Sequence, residues 1–126
     1  MVFTNSSSLR HYADNGIPMN ADISKDLILS IFEKNSPLHD GAVIIADRKI
    51  LAASSILPTS DNPDLPRYLG TRHRAAIGIT EVSDALAILV SEESGKMAIS
   101  LDGQIQQNVS LTDLQLEISK SLKRIS

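Results

Sequence analysis

The chain has 126 residues, 42% of them hydrophobic and 21% charged, which is the composition of a globular domain large enough to build one core. Its net charge of −3 and its aromatic content of 3% argue against nucleic-acid partners, whose binding surfaces are usually basic and stack bases on aromatic rings. The absence of cysteine excludes disulfides and thiolate metal sites, and no apolar run reaches the ~18 residues that a membrane-spanning helix requires.

The first part of the chain alternates polar and apolar segments. Residues 5–22 are polar and rich in turn-forming types, which predicts a loop. Ser24 is a candidate N-cap for a helix that continues to about Glu33, because the following apolar residues recur with helical spacing. The apolar run at 42–46 predicts a buried strand, and a second strand from 50 to about 57 would be its hairpin partner.

The middle of the chain contains a proline-rich segment followed by a helical pattern. Residues 58–69 include three prolines and predict a loop. Thr71 is a candidate N-cap for a helix that would carry the Arg-His-Arg of 72–74 in its first turn. The apolar run at 85–90 predicts a central strand.

The last part of the chain predicts a hairpin and a helix. Segments 96–101 and 104–109 flank Asp102-Gly103, a dipeptide typical of a two-residue hairpin turn. Ser110 and Asp113 resemble a capping box that opens an amphipathic final helix. The mixture of strands, hairpins and helices predicts a single α/β or α+β domain over residues 1–126, built around a mixed sheet.

Two arginines at a predicted helix start indicate a bound anion. The guanidinium groups of Arg72 and Arg74 match phosphate geometry, and a helix N-terminus adds backbone N–H donors. Cations are electrostatically disfavoured at that end of a helix, so a bound anion would compensate for their presence there. The alternative, which the residues leave open, is a solvated basic turn.

An acid precedes the strand predicted at 42–46. Asp40 would lie at the mouth of the strand, and Gly41, which lacks a Cβ, would allow a ligand to approach closely. The alternative interpretation is a simple turn. His39 could bind a metal, pair with Asp40 or be an ordinary half-buried histidine. An acid beside an anion cradle is the combination that phosphoryl or nucleotidyl transfer needs.

Two polar residues follow the strand predicted at 85–90. Ser91 could place a hydroxyl on phosphate and Glu92 a carboxylate near a metal, or both could be an ordinary polar strand end. The sequence contains no Walker A loop, no Gly-x-Gly-x-x-Gly and no Gly-x-Ser-x-Gly, so the usual nucleotide cradles and the hydrolase nucleophile elbow are unsupported.

The Asp-Gly-Ala at 40–42 and the Arg-His-Arg at 72–74 resemble the two defining motifs of the diadenylate cyclase family. The likeness extends over roughly residues 8–105 and is greatest to the membrane-anchored bacterial class. It implies a twisted mixed β-sheet flanked by helices. It also implies a nucleotidyltransferase that condenses two ATP into the second messenger cyclic di-AMP and two pyrophosphates, with Mn²⁺ or Mg²⁺.

The resemblance also assigns roles by position. It implies that Asp40 activates the ribose 3′-hydroxyl, that Leu57 packs on adenine, and that His39 and Glu92 contact the metal. The implied nucleotide-binding residues are Gly41, Ala42, Leu57, Thr71, Arg72, His73, Arg74 and Ser91. The class often has an aromatic residue where this chain has Ile56, which would weaken stacking on adenine.

The implied partners are an ATP substrate and a second copy of the chain, in a face-to-face homodimer that need only be transient. The resemblance further implies a cytoplasmic domain of a protein anchored at the inner face of the bacterial membrane by an N-terminal segment outside this sequence.

A catalytically idle module that binds ATP or a cyclic dinucleotide is the alternative function. It would use the same phosphate contacts but has no use for a base at the ribose. A generic interaction domain would leave the arginine pair unexplained.

Overall fold

The structure is a computed structural model that describes residues 2–3, 9–33, 35–46, 49–90 and 95–125. Its elements are β1 (Val2–Phe3), α1 (Arg10–Ala13), β2 (Ile17–Asp22), α2 (Lys25–Ile31), β3 (Ala42–Ala46), β4 (Lys49–Ser55), α3 (Thr71–Glu81), β5 (Leu86–Val90), β6 (Met97–Leu101), β7 (Gln104–Gln107) and α4 (Leu111–Ile125). The strands form one sheet in the order β2-β4-β3-β1-β5-β6-β7. Only β1 and β3 pair in parallel, so the predicted mixed sheet with flanking helices is confirmed.

Apolar side chains on both faces of the sheet build the core. Ile44 and Leu89 project to one face, where they pack with Ile79 of α3 and with Ala13 of α1. Their strand neighbours project to the opposite face, because side chains alternate along a strand. There Val43 and its neighbours pack on α2, and the corresponding residues of β5 and β6 pack on α4. The sheet is thus the middle of three layers, as its buried strands require.

The middle position of the sheet belongs to a strand of only two residues. Val2 of β1 pairs with Ile44 of β3 in parallel and with Ala87 of β5 antiparallel. The predicted central strand at 85–90 is an interior strand one position away, and begins at Leu86. β1 therefore joins two antiparallel halves into one sheet.

The prediction of a loop over residues 5–22 is wrong. This segment contains α1 and β2, and β2 pairs antiparallel with β4 at the edge of the sheet. Most side chains of β2 are exposed, so the strand has no apolar alternation to recognise. Pro18 is tolerated because an edge strand has one side without a ladder partner.

Several local predictions are confirmed. The Oγ of Ser24 accepts the N–H of Leu27 at 3.0 Å and caps α2. β3 has the predicted bounds and forms an antiparallel hairpin with β4. The Oγ of Ser110 accepts the N–H of Asp113 at 3.1 Å, while Asp113 accepts the N–H of Ser110 at 3.4 Å, which completes the capping box of α4.

Several boundaries differ from the sequence prediction, and α2 and β4 each end two residues earlier than expected, at Ile31 and Ser55. The N-cap of α3 is Gly70, in an extended conformation and without a side-chain hydrogen bond, and Thr71 is the first helical residue. β7 ends at Gln107 because Asn108 has a positive φ of 56°, outside the strand region. The turn before β7 has positive φ at both Asp102 and Gly103, as a two-residue hairpin requires.

Among the helices that the structure describes, none has the length and apolar character needed to cross a membrane.

Candidate active site

The strand directions bring one end of β3 and one end of β5 together. β3 runs parallel to β1, and β1 runs antiparallel to β5, so β3 begins where β5 ends. Val2 lies between Ile44 and Ala87. Ala42, two residues before Ile44 in β3, is therefore level with Leu89, two residues after Ala87 in β5. We call this the site end of the sheet: the end where β3 begins and where β4 and β5 end.

The first motif lies at the site end. Asp40 and Gly41 directly precede β3, and Val90 is the last residue of β5. One strand separates β3 from β5, so the two ends are about 10 Å apart at the usual strand spacing. A small polyanion can span that distance.

The second motif also reaches the site end. The Nη1 of Arg72 donates to the carbonyl oxygen of Val90 at 3.2 Å, so the first turn of α3 lies over the end of β5. Gly70 supplies no side-chain acceptor for the N–H groups of that turn. The helix start therefore presents backbone donors together with an exposed arginine.

β4 brings a third segment to the site end. Ala42 pairs with Ser55 across the antiparallel ladder, so the residues after Ser55 run alongside the residues before Ala42. Leu57 is half-buried against the core, whereas the side chain of Ile56 is 71% exposed. The register of this ladder pair predicts that Leu57 lies near Asp40 and Gly41.

Gly41 is required by the protein's own packing. Its φ of +85° favours glycine, and a Cβ there would lie 2.8 Å from the carbonyl carbon of Ser54. Ser54 itself has a positive φ of 54°, and the register between β3 and β4 shifts at this point. The missing side chain thus faces a bulge of β4, and the contact of Gly41 with a nucleotide stays a prediction.

His39 and Asp40 are in contact. The Nε2 of His39 lies 3.3 Å from the Oδ1 of Asp40. The Nδ1 of His39 donates to the carbonyl oxygen of Ser36 at 2.7 Å, since a carbonyl can only accept. The side chain of Asp40 is 85% exposed, so it is open to a ligand.

The second arginine of the motif faces the proline-rich loop. The Nη2 of Arg74 donates to the carbonyl oxygen of Pro66 at 3.1 Å, and its Nε donates to that of Leu69 at 3.4 Å. Its predicted contact with a triphosphate is not tested by this arrangement. In the same turn Thr71 is exposed, and the buried Nδ1 of His73 has no hydrogen-bond partner in the described part of the chain.

Two predicted site residues, Ser91 and Glu92, lie outside the described residues. They follow Val90 directly in sequence, and Val90 lies at the site end. In the part of the chain that the structure describes, no three acidic or histidine side chains form a group that could hold a metal ion. The predicted pair of His39 and Glu92 therefore stays a prediction.

The loop at 58–69 is fastened to α3 by residues that the sequence analysis did not select. The N–H of Ser60 donates to the carbonyl oxygen of Arg74 at 3.0 Å, and its Oγ donates to the Oε2 of Glu81 at 3.0 Å. Gly78 of α3 packs on the backbone of Pro58, where a Cβ would collide with the carbonyl oxygen. These contacts join residues far apart in sequence, so no local pattern announces them.

Asn15 is a further residue that the sequence does not single out, because an Asn-Gly pair such as Asn15-Gly16 is by itself only a turn signal. Its Oδ1 accepts the N–H of Ile56 at 2.8 Å, and its Nδ2 donates to the carbonyl oxygen of Ile56 at 3.0 Å. Asn15 thereby holds the main chain directly before Leu57.

Comparisons with known proteins give the family of the chain. Residues 1–105 match the DAC family, described as DisA bacterial checkpoint controller nucleotide-binding. A diadenylate cyclase of Listeria monocytogenes (strain 10403S) is 48% identical over 115 residues, which cover 91% of this chain and 42% of that protein. The chain thus spans less than half the length of that relative.

Two solved structures share the fold. The crystal structure of a double cysteine mutant of DacA from Staphylococcus aureus has a TM-score of 0.92 and 44% sequence identity, and the match covers 95% of this chain and 80% of that one. A hypothetical membrane spanning protein from Bacillus cereus has a TM-score of 0.82 and 39% identity, over 86% of this chain and 53% of that one. Since the family match includes both motifs of the site end, the chain belongs to the diadenylate cyclase (DAC) family.

Proposed function

We propose that this chain is the catalytic domain of a diadenylate cyclase, which condenses two ATP into cyclic di-AMP and releases two pyrophosphates. One observation carries the proposal: β3 begins where β5 ends, so the carboxylate of Asp40 and the guanidinium of Arg72 share the site end of the sheet. An idle binding module would need the arginine but not the exposed carboxylate. The activity named for the Listeria relative supports the same function.

The acid of the first motif would act as the general base of the reaction. Asp40 accepts the proton of the ribose 3′-hydroxyl, and the resulting oxygen attacks the α-phosphorus of the other nucleotide. The new bond joins O3′ to the α-phosphorus, and the bond from the α-phosphorus to the bridging oxygen breaks, which releases pyrophosphate. A second, equivalent step closes the ring.

The start of α3 would hold the phosphates. The N–H groups of its first turn have no side-chain cap, and the helix dipole favours an anion there. Thr71, Arg72 and His73 lie in that turn and would supply further donors. Arg72 would also stabilise the charge that grows on the leaving pyrophosphate.

The adenine would lie against Leu57, which the Ala42–Ser55 pairing brings near Asp40. Ile56 and Leu57 offer aliphatic contacts in place of ring stacking. This position sets the base on one side of Asp40 and the phosphates on the other, which is the order in which a nucleotide carries them around its ribose.

The donor chemistry of His39 fits a divalent ion. Its Nδ1 donates to a backbone carbonyl, the usual support of a metal-binding histidine, and its Nε2 faces the site. We propose that His39 holds Mn²⁺ or Mg²⁺ with Glu92 and the phosphate oxygens. Such an ion, when bound, neutralises charge on the leaving pyrophosphate.

We further propose that residues 1–126 are one catalytic domain of a longer protein that works on cytoplasmic ATP and is anchored in the bacterial membrane. The description of the Bacillus cereus structure as membrane spanning supports the anchor. The fraction of the Listeria relative that the chain matches supports a longer parent protein.

The decisive experiment is incubation of the purified chain with ATP and Mn²⁺, followed by chromatography of the products. We expect one cyclic di-AMP and two pyrophosphates for every two ATP consumed, and no product after treatment with EDTA. If calorimetry detects ATP binding but no cyclic di-AMP forms at any chain concentration, the idle binding module replaces the cyclase.

A further inference from the structure

The Asn15 side chain acts on Ile56 as a neighbouring strand would. Its amide accepts from the N–H and donates to the C=O of the same residue, at 2.8 Å and 3.0 Å, across 41 positions of sequence. The N–H belongs to the peptide plane before Ile56, and the C=O belongs to the plane that carries the N–H of Leu57. Both planes are therefore fixed, and with them the position of Leu57.

No regular structure holds this stretch in place of Asn15. β4 ends at Ser55, and residues 56–60 belong to no helix or strand. The side chain of Ile56 is 71% exposed, so packing cannot anchor it. The next backbone held in place is that of Pro58, which packs on Gly78 of α3, so without Asn15 the main chain at Ile56 would sample several conformations.

The turn that carries Asn15 is itself pressed against β4. A Cβ on Gly16 would lie 2.6 Å from the carbonyl oxygen of Ala53 and would collide with the Oγ of Ser55. Only glycine allows this approach. The close packing holds the Asn15 backbone in reach of Ile56, so the turn between α1 and β2 supports the end of β4.

We propose that Asn15 is a positioning residue for the base end of the nucleotide site. By fixing the main chain at Ile56 it holds Leu57 beside Asp40, and so sets the affinity for the adenine base while leaving the phosphate contacts of α3 unchanged. The inference rests on the proposed function, which assigns Leu57 to adenine.

The test compares two ligands in two variants. Asn15→Ala removes both hydrogen bonds, and Asn15→Asp keeps the acceptor but sets a carboxylate oxygen against the Ile56 carbonyl. Calorimetry would measure dissociation constants for ATP and for inorganic tripolyphosphate, which reports on the phosphate contacts alone. Asn20→Ala is the control, since Asn20 lies in the adjacent β2 at a positive φ of 45° and its replacement strains the fold without touching Ile56.

We expect both Asn15 variants to bind ATP roughly tenfold more weakly, about 1.4 kcal/mol, and to bind tripolyphosphate as the wild type does. The turnover number at saturating ATP should stay within about twofold of wild type, because the reacting groups stay in place. The control should melt at a lower temperature and keep the wild-type affinity for ATP.

Unchanged ATP affinity in both variants overturns the inference, and so does an equal loss for ATP and tripolyphosphate, which would reveal a general structural role. Failure of the proposed function looks different: the wild type would make no cyclic di-AMP, yet the difference in ATP binding between wild type and Asn15→Ala would still be measurable and would still decide the role of Asn15.

Discussion

The two arginines of the Arg-His-Arg motif have different surroundings. Arg72 is exposed and donates to the last carbonyl of β5 at the site end. Arg74 is half-buried and donates to two carbonyls of the proline-rich loop. Residues two apart on a helix point in directions about 200° apart, so one can face the ligand while the other faces the loop.

Alanine substitution should separate these two arginines. Arg72→Ala should weaken ATP binding or lower the rate by roughly 10- to 150-fold, the effect of losing a charge-assisted contact of about 1.5–3 kcal/mol. ADP and AMP should be less sensitive, in the order of their lost phosphates. Arg74→Ala should lower the free energy of unfolding by about 1–3 kcal/mol and reduce activity as well, because the loop leads from Leu57 to Thr71.

Urea denaturation and ATP kinetics would check both expectations, with Arg67→Ala, at an exposed position of the loop that Arg74 contacts, as the control. Unchanged ATP affinity and rate in the Arg72 and Arg74 variants would favour the alternative interpretation, in which the motif binds no anion. Unchanged stability of Arg74→Ala would show that its two loop contacts contribute nothing to the fold.

Asp40 is the residue on which the proposed chemistry depends most. Asp40→Asn keeps the size of the side chain but removes its capacity to accept a proton. The variant should retain ATP binding and lose turnover by about 10² to 10⁴-fold, the usual contribution of a general base. Calorimetry and product chromatography would measure the two quantities separately. Product formation at the wild-type rate would remove Asp40 from the mechanism.

At the scale of elements, α3 connects the site to the rest of the fold. Its first turn lies at the site end, and its later residues, from Ala76 to Thr80, are all buried. One side of this segment packs on the sheet and another on the proline-rich loop. The loop therefore behaves as a part of the helix packing, fastened by Ser60 and Arg74.

Gly78 allows this packing, and we expect its replacement by alanine to change the stability in the direction opposite to the usual one for a helix. Gly→Ala within a helix normally stabilises a protein by about 1 kcal/mol. At Gly78 the added Cβ would collide with the carbonyl oxygen of Pro58, a backbone atom that cannot rotate away. Gly78→Ala should therefore destabilise the protein by about 1–3 kcal/mol, as overpacking does.

Urea denaturation would measure the effect of Gly78→Ala, and Ser119→Ala on the exposed face of α4 provides a helical control. The control should be neutral or slightly stabilising, since alanine favours helix. If Gly78→Ala were as stable as the control, the loop would have to move freely away from α3.

At the scale of the whole molecule, the proposed function gives one chain one nucleotide site. The sequence holds a single Asp-Gly-Ala and a single Arg-His-Arg. The proposed product needs two adenylates joined by two bonds, so each 3′-hydroxyl must meet the α-phosphate held by another chain. We propose that two chains meet across a two-fold axis at their site ends, a self-complementary contact that need only be transient.

This assembly predicts that specific activity rises with enzyme concentration in dilute solution. A mixture of Asp40→Asn and Arg72→Ala chains should not regain full activity, because both bonds need both sites. Light scattering would give the oligomeric state at each concentration. Constant specific activity at concentrations where only monomer is present would refute the face-to-face mechanism.

The sequence by itself determined those features that depend on neighbouring residues. Ser24 and Ser110 predict helix starts because a capping side chain bonds to the backbone two or three residues away. Asp102-Gly103 predicts its turn because the turn needs two residues with positive φ. The two motifs identified the family and its candidate residues, since motif recognition needs only residue types and spacing.

Only the tertiary structure decided how these elements meet. The position of β1 at the middle of the sheet and that of β2 at its edge depend on pairing between distant segments, which leaves no periodic signal in such short or exposed strands. The same holds for the contacts of Arg74 with Pro66 and of Asn15 with Ile56. The meeting of Asp40 and Arg72 at one end of the sheet follows from strand direction and register, which are set by the packing of the whole core.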